Sequence, residues 1–557
     1  MTERFGKARV EKIGRIWVLY LKGTPFERGF QHGTLMRYVA RTSVDFYRNL
    51  PSAIISRVTG KDITNRQAFR RIKRHFLKKL ISLLDQEVLE EIRGLSVGLG
   101  MKMEDVAEAA MISEIIQCSQ KIVGLIPFMP RFWIPGVSGT TVIRESTGGS
   151  LFMGRNFDFW GAGYWDENPA VIFHYPDKGK VYCVISTAGF PLAGYTAINE
   201  DGLSLSATAL VTHAHDAKGK PAVSVTHELV RKSSTINDAL SLLDNQKMMG
   251  SWSFALAGGS ELEAAVMEVT PRKKTFRKLE DHSIVITERS SENDPTQNSL
   301  ESVSHILSSK ARNDRALFLL RHLKITTGRI ADILSDHFDP LANEYRSAGF
   351  TISRISTLSS SVFCLHTKRF YVSESKAPSA QGGFVGFELG NEFHEEVESV
   401  GRIEISDTPE YRVTASRDYY IKASFEYLSS ADLNRVLSLL GQCVAIDPSE
   451  STYHFLEGIF RTMVGNYKGA VSSLDSALEL ERVEHKKDII SLWKARVYDL
   501  LERREISTKA YAELMEKNTF ESIKRSASRC RRKPFSEKDL SMIFVDFANG
   551  DTIEPWW

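Results

Sequence analysis

The stretch Gly154-Arg155-Asn156-Phe157-Asp158-Phe159 sets a guanidinium, a carboxamide and a carboxylate within four residues, directly after the apolar run from Ser150 to Met153. That run reads as a strand, so the polar groups stand at its end. The plainest chemistry for Arg155 and Asp158 is a strand-end ion pair; the sharper one is a catalytic pair. A second polar cluster is His213-Ala214-His215 with Asp216. Alternating histidines on a strand share a face and can hold a metal, but no third ligand cluster supports them and the segment reads as a loop, so no metal and no cofactor is expected. Gly258-Gly259 and Gly382-Gly383 are turn signals without phosphate-loop spacing. Cys118 lies inside a helical pattern and reads as a buried core cysteine.

The elements that must position these groups follow from periodicity. Residues 15–23 alternate as a strand. Thr24 then caps a helix with Pro25 in its first turn, and that helix carries Arg28, Gln31 and His32. Further helices are predicted at about 66–82, 84–98 and 103–120. From Gly139 the period changes to two, with strands at Thr140 to Arg144, Ser150 to Gly154, Ala170 to His174, Lys180 to Ser186 and Leu203 to Leu210. One helix is predicted at about 222–243. Strands resume at 252–258, 262–269 and 282–287, a helical stretch covers about 310–337, and β pattern returns at 350–374 and 382–389. The polar stretch 288–309 reads as a surface loop. Strands and helices in this order fit a large α+β sandwich.

With 557 residues, of which 42% are apolar, the chain can build one large domain and an appendage. A balance of 72 Lys plus Arg against 69 Asp plus Glu leaves +3, too even for a nucleic-acid or membrane-surface protein. The basic run 524–534 reads as a solvated helix face, with an acidic partner or RNA as the sharper alternative. Five scattered cysteines form no framework, the N-terminus has no apolar leader, and no run is long enough to span a membrane. A cytoplasmic protein is therefore expected. The stickiest segment, Lys121 to Gly136, reads as a buried connector or a lid. A polar linker is expected near Ser406 to Asp418, and the remainder, 419–557, is predicted to be helical without strands.

Residues 451–484 carry Gly458, Gly465, Tyr467, Ala470, Leu474, Ala477, Leu478 and Leu480 at the offsets of a 34-residue tetratricopeptide repeat. Residues Leu439 to Pro448 resemble the second helix of a preceding unit. This implies an all-α repeat domain over 419–557, and with it a protein partner.

Five blocks together resemble the penicillin acyltransferase-like family of N-terminal-nucleophile hydrolases, related to the bile-salt hydrolases. They are Leu21 to Gly33, Gly154 to Asp158, Ala197 to Leu203, Ser308 to Arg315 and Thr351 to Arg354. The resemblance implies a four-layer αββα sandwich over residues 1–410, with a helical pro-segment-like part at 1–137 and the core at 138–410. It implies self-cleavage before a Cys, Ser or Thr, whose freed α-amine, with a pKa of about 7.7–8, activates its own side chain to attack an amide of an acylated small molecule. On that pattern Arg155 lowers the nucleophile's pKa or holds substrate, and Asp158 steadies the ammonium. Asn156, Asn199 and Arg312 fall at substrate-side positions. Three positions depart from the pattern. The nucleophile aligns with Gly139, and the oxyanion-hole asparagines fall near Thr208 and Ser253. A slip of one residue makes Ser138 the nucleophile, with cleavage after Val137; a slip the other way uses Thr140. The alternative is a catalytically inactive member that binds a ligand or recruits a partner.

Overall fold

The computed structural model describes residues 3–59, 67–125, 136–189, 194–212, 214–258, 263–279, 281–289, 302–321, 324–389, 400–406, 409–430 and 432–554. Two sheets lie face to face. The larger has ten strands in the order Glu3–Phe5, Ala8–Ile13, Ile16–Gly23, Pro169–Pro176, Tyr182–Thr187, Thr196–Asn199, Leu203–Ala209, Trp252–Gly258, Glu263–Val269 and Lys274–Lys278. Only Ile16–Gly23 with Pro169–Pro176 is parallel; the other neighbours are antiparallel. The second sheet runs Ser283–Ile286, Ser138–Glu145, Leu151–Asp158, Thr357–Cys364, Arg369–Ser373, Phe384–Glu388 and Arg402–Ile403.

Alternation of side chains across a strand decides the layers. Val18 and Tyr20 point into the space between the sheets, where they meet Ile143, Met153 and Phe363. Their neighbours Leu19 and Leu21 face outward onto helices that include Ile92, Leu95 and Leu99. On the second sheet Val142 and Val362 face outward onto Ile330 and Leu334. Each sheet is thus covered on both sides, and the order helix, sheet, sheet, helix is the expected αββα sandwich. Burial on both faces also explains why strands such as Leu151–Asp158 are buried at every position.

The first outer layer is pinned at one close crossing. Thr24 and Glu27 form a capping box at the start of the helix Pro25–Leu35, with Pro25 in its first turn. Gly29 and Gly33 of that helix lie against Gly94 and Gly98 of the helix Gln86–Leu99, so near that a Cβ on any of the four would strike the opposing backbone. The motif Arg28 to Gly33 is, in this respect, a packing motif.

Several boundaries differ from the sequence reading. The predicted helix 222–243 is two helices, Ala222–Lys232 and Ile236–Asp244, because Thr235 caps the second with Asp238. The stretch 103–120 breaks at Met111 into Met103–Ala110 and Ile112–Leu125. In the polar stretch 288–309, Glu288 is buried and Ser302 caps a helix that already begins at Val303; residues 290–301 lie outside the described residues. Residues 350–356 are not strand. Much of the sticky segment, 126–135, also lies outside the described residues.

From Tyr411, inside the expected linker, the chain is helical through Tyr411–Ser429, Leu433–Ile446, Ser451–Met463, Tyr467–Leu480, Glu484–Leu500, Arg504–Glu516 and Glu521–Arg532. Gly458 sits where a Cβ would meet Leu474, so the pair Ser451–Met463 and Tyr467–Leu480 crosses at a glycine. The expectation of no strands fails at the end: Phe544–Asp546 and Asp551–Ile553 form a hairpin that folds back on the sandwich. Arg346 joins the two regions, bonding Glu450, Ser451 at 2.6 Å and Glu481 at 3.2 Å. Among the described residues, no helix is long and apolar enough to cross a membrane.

Candidate active site

Two adjacent strands of the seven-stranded sheet carry the candidates. In their antiparallel register Ser138 faces Asp158, Thr140 faces Asn156 and Thr141 faces Arg155. Opposed residues share a face. Arg155 and Thr141 therefore point between the sheets, while Ser138, Thr140, Asn156 and Asp158 point toward the helices. Arg155 and Asp158 are on opposite faces and make no direct ion pair.

Arg155 is fully buried and spans the gap between the sheets. It donates to Thr141 Oγ1 (3.1 Å), Thr208 Oγ1 (2.7 Å) and the carbonyls of Ser138 and Ala207 (both 3.1 Å). Burial lowers its pKa to about 10. Thr208 and Ser253 are direct cross-strand partners on the ten-stranded sheet, so the two expected oxyanion positions are side by side. Ser253 Oγ is buried without a hydrogen-bond partner.

On the other face Asp158 accepts from Thr357 Oγ1 at 2.7 Å through one oxygen. The second oxygen, Oδ2, has no hydrogen bond but lies 3.8 Å from Arg354 and 4.0 Å from Arg312. Burial pushes the Asp158 pKa up against the pull of those two arginines. Arg312 donates to Thr140 Oγ1 at 3.2 Å and pairs with Glu288, which also lies 3.0 Å from His305. Burial alone would raise the Glu288 pKa; Arg312 and His305 outweigh it and hold the carboxyl well below the usual range. Three arginines and two carboxylates are thus buried together at the strand ends.

Gly139, the position expected for the nucleophile, has no room for a side chain. Its φ is +136°, and a Cβ there would collide with the carbonyl oxygen of Asn156. Ser138 is 6% exposed, and its Oγ is 3.3 Å from the Asp158 carbonyl, to which it donates. It lines a cleft with Phe159, Trp160 and Arg354 on one side and Ile421, Phe425 and Leu428 of the helix Tyr411–Ser429 on the other. The cleft holds about 40 Å³, room for a few waters. Arg354 continues past it to Asn549 Oδ1 (2.7 Å) and the Ala548 carbonyl (3.0 Å) of the C-terminal hairpin turn.

The structure therefore gathers Ser138, Gly139, Thr140, Arg155, Asp158, Thr208, Ser253 and Arg312. Asn156 shares the face of Ser138 and Asp158, but its carboxamide is taken up by the helix layer, donating to the Leu334 and Ile352 carbonyls and accepting from Ser360. Asn199 is elsewhere: it ties the end of the helix Ala222–Lys232 by donating to the carbonyls of Val230 and Ser233. Glu288, His305 and Thr357 were missed. Glu288 opens a polar stretch that reads as surface, and its only signal is its place just after the strand Ser283–Ile286. Arg354 was visible only as the end of a motif block. His213 lies outside the described residues, and no group of three His, Cys, Asp or Glu side chains among the described residues could hold a metal.

Residues 144–377 match the acyl-coenzyme A:6-aminopenicillanic acid acyl-transferase family. The motif resemblance holds over that span, which contains Arg155, Asp158, Thr208, Ser253, Arg312 and Arg354 and begins just after Ser138 and Gly139. A curated relative, an uncharacterized protein of Archaeoglobus fulgidus, is 23% identical over 282 residues, covering 47% of this chain and 45% of that protein. The chain thus spans less than half the length of that relative. Among solved structures, the Caenorhabditis elegans ortholog of N-acylethanolamine-hydrolyzing acid amidase is similar, with a TM-score of 0.31 and 14% identity. It covers 41% of this chain and 93% of its own.

Proposed function

We propose that the chain is an amide hydrolase or acyltransferase of the acyl-transferase family in which Ser138 takes the place of the cysteine. The observation that carries this reading is the position of Ser138: it heads its strand, lines the cleft, and is the cross-strand partner of Asp158. Cleavage of the Val137–Ser138 bond would free an α-amine beside Asp158. That amine takes the Ser138 hydroxyl proton as Oγ attacks the amide carbonyl of an acylated small molecule. The proton then passes to the leaving amine as the C–N bond breaks. Water releases the acyl group as an acid; a second amine accepts it in transfer. On this reading Thr208 and Ser253, in the gap between the sheets beside Arg155, take the hydroxyl positions for the developing oxyanion. The helices from Tyr411 onward are a tetratricopeptide-like partner surface on this reading, and they also wall the cleft.

Gly139 favours a second reading, a non-catalytic member that keeps the charged frame and binds a ligand. The intact mass of the purified chain, beside a Ser138→Ala control, separates the two. Two fragments from a break at Val137–Ser138, absent from the control, support the enzyme. A single 62.7 kDa chain in both sinks the self-processed enzyme and leaves the binding reading.

A further inference from the structure

Away from the charged frame, two sulfurs and an imidazole from three elements meet at Cys118. Cys118 is on the helix Ile112–Leu125, His215 follows the strand Leu203–Ala209, and Met249 precedes the strand Trp252–Gly258. Cys118 Sγ is 2.6 Å from His215 Nε2 and 3.7 Å from Met249 Sδ. From the sequence Cys118 reads as a buried core cysteine and His215 as part of a loop. Both readings miss that the fold joins them.

The scaffold around the three is fixed by hydrogen bonds. The amide of Asp216 donates to the Met249 carbonyl at 2.9 Å, and the Met249 amide donates to Lys220 at 3.0 Å. Thr212 and Ser251 share a hydroxyl hydrogen bond of 2.6 Å. His215 and Met249 are therefore carried on two cross-bonded segments, and Cys118 reaches them from the helix opposite. Cys118 and Met249 are buried and His215 is half-buried, so the imidazole is the way in from solvent.

We propose that Cys118, His215 and Met249 form a three-coordinate site for a soft monovalent cation, Cu(I). The ligand set decides the metal. Thiolate and thioether sulfurs select Cu(I), whereas zinc takes cysteine, histidine and carboxylates and completes a set of four. Ligand bonds of roughly 2.0–2.3 Å arranged trigonally separate the donors by about 3.6 Å. The two sulfurs already stand so. The imidazole must swing out by about 1 Å, which its half-exposed position allows. On binding, the S–H bond of Cys118 breaks, the S–Cu bond forms, the proton leaves to water, and copper stays in the same oxidation state. None of the three ligands belongs to the Ser138 site, so this inference stands or falls separately from the proposed function.

The test is a competition between the full-length chain and the Cu(I) chelator bicinchoninate under reducing, anaerobic conditions. The expected result is one Cu(I) retained per chain. Cys118→Ser should lose it, and His215→Ala and Met249→Leu should each weaken it at least tenfold. Cys364→Ser, at a half-buried thiol elsewhere, should change nothing. Met249→Leu conserves volume and keeps the test decisive if Cys118→Ser does not fold. Loss of all copper to the chelator by the wild-type chain overturns the site. So does equal retention by wild type, His215→Ala and Met249→Leu.

Discussion

Two buried charge clusters in this molecule are built from the same residue types and are finished differently. Around Arg346, the guanidinium bonds Glu450, Glu481, Ser451 and Thr452, and the Glu450 and Glu481 carboxylates take further bonds from Ser451 and from the amides of Thr452, Arg482 and Val483. At the strand ends, Asp158 Oδ2, Glu288 Oε2 and Ser253 Oγ are buried without a hydrogen bond. A saturated cluster is a clamp: it holds the helical region to the sandwich. An unsaturated one keeps bonding capacity that the folded chain does not use and that a water or a ligand can take up.

The largest effect is expected from breaking the clamp. Arg346→Met leaves Glu450, Glu481 and Asp339 buried together without their cation, at a cost of about 3–5 kcal/mol. Denaturant unfolding should show that loss, and limited proteolysis should show the helices from Tyr411 onward released early. If Arg346→Met proves no worse than Arg155→Met, the contrast between clamp and site collapses.

Gly139→Cys comes next. It restores the family's residue type at the aligned position, yet a side chain at φ +136° strikes the Asn156 carbonyl oxygen. Strain and overpacking together should cost roughly 3 kcal/mol or more. A stable, self-cleaving Gly139→Cys protein, detected by intact mass, would overturn the steric account and with it the assignment to Ser138.

Acid sharpens the comparison further. Glu288 and Glu481 are both held below the ordinary value of 4.5, by Arg312 and Arg346 respectively, against the opposing effect of burial. Their stabilisation is complete above pH 4.5 and is lost as pH falls toward their folded values. Asp158, raised from 3.8, has the opposite sign: its ionisation costs stability as pH rises through its folded value. Melting temperature should therefore fall for wild type between pH 6 and pH 3. Glu288→Gln should start lower at pH 6 and fall less steeply. Parallel curves would show that Glu288 is not held by its arginine.

How much of this was legible in the sequence depends on the range of each interaction. The sandwich was legible because the apolar run from Ser150 to Met153, the strand pattern at 252–258 and the Thr24 cap with Pro25 are local signals. The family resemblance named Thr208 and Ser253 singly as oxyanion positions; that they are neighbours across two strands comes only from the register. Glu288 and Arg354 were not legible as site residues, since their partners Arg312 and Asp158 are brought near only by the closed sheet. The same holds for the wall that Phe425 and Leu428 add to the cleft: it depends on a helix some 280 residues downstream of Ser138.

A smaller effect separates structural polar residues from site residues. Asn199 spends its carboxamide on the Val230 and Ser233 carbonyls and on the amides of Asp201 and Leu203. Asn199→Ala should cost about 1–3 kcal/mol, seen as a lower melting temperature, with ligand binding or turnover at the Ser138 cleft unchanged. A selective loss of binding without loss of stability would return Asn199 to the site.

The smallest expected change in stability tests the wall itself. Phe425 is half-buried and stacks on Tyr164 at 4.7 Å. Removing its ring should cost only about 1–2 kcal/mol, below the range for a fully buried phenylalanine. The ring nevertheless lines the same cleft as Ser138, so Phe425→Ala should enlarge a cleft that now has room only for a few waters. If the cleft is the substrate or ligand site, the variant should bind a fluorescent acyl-chain probe more tightly than wild type, and Ser138→Ala should leave that gain intact because it alters attack rather than access. If Phe425→Ala loses stability and gains no binding, the helix is a permanent wall. The unsatisfied groups at Asp158 and Glu288 would then serve the frame and not a ligand.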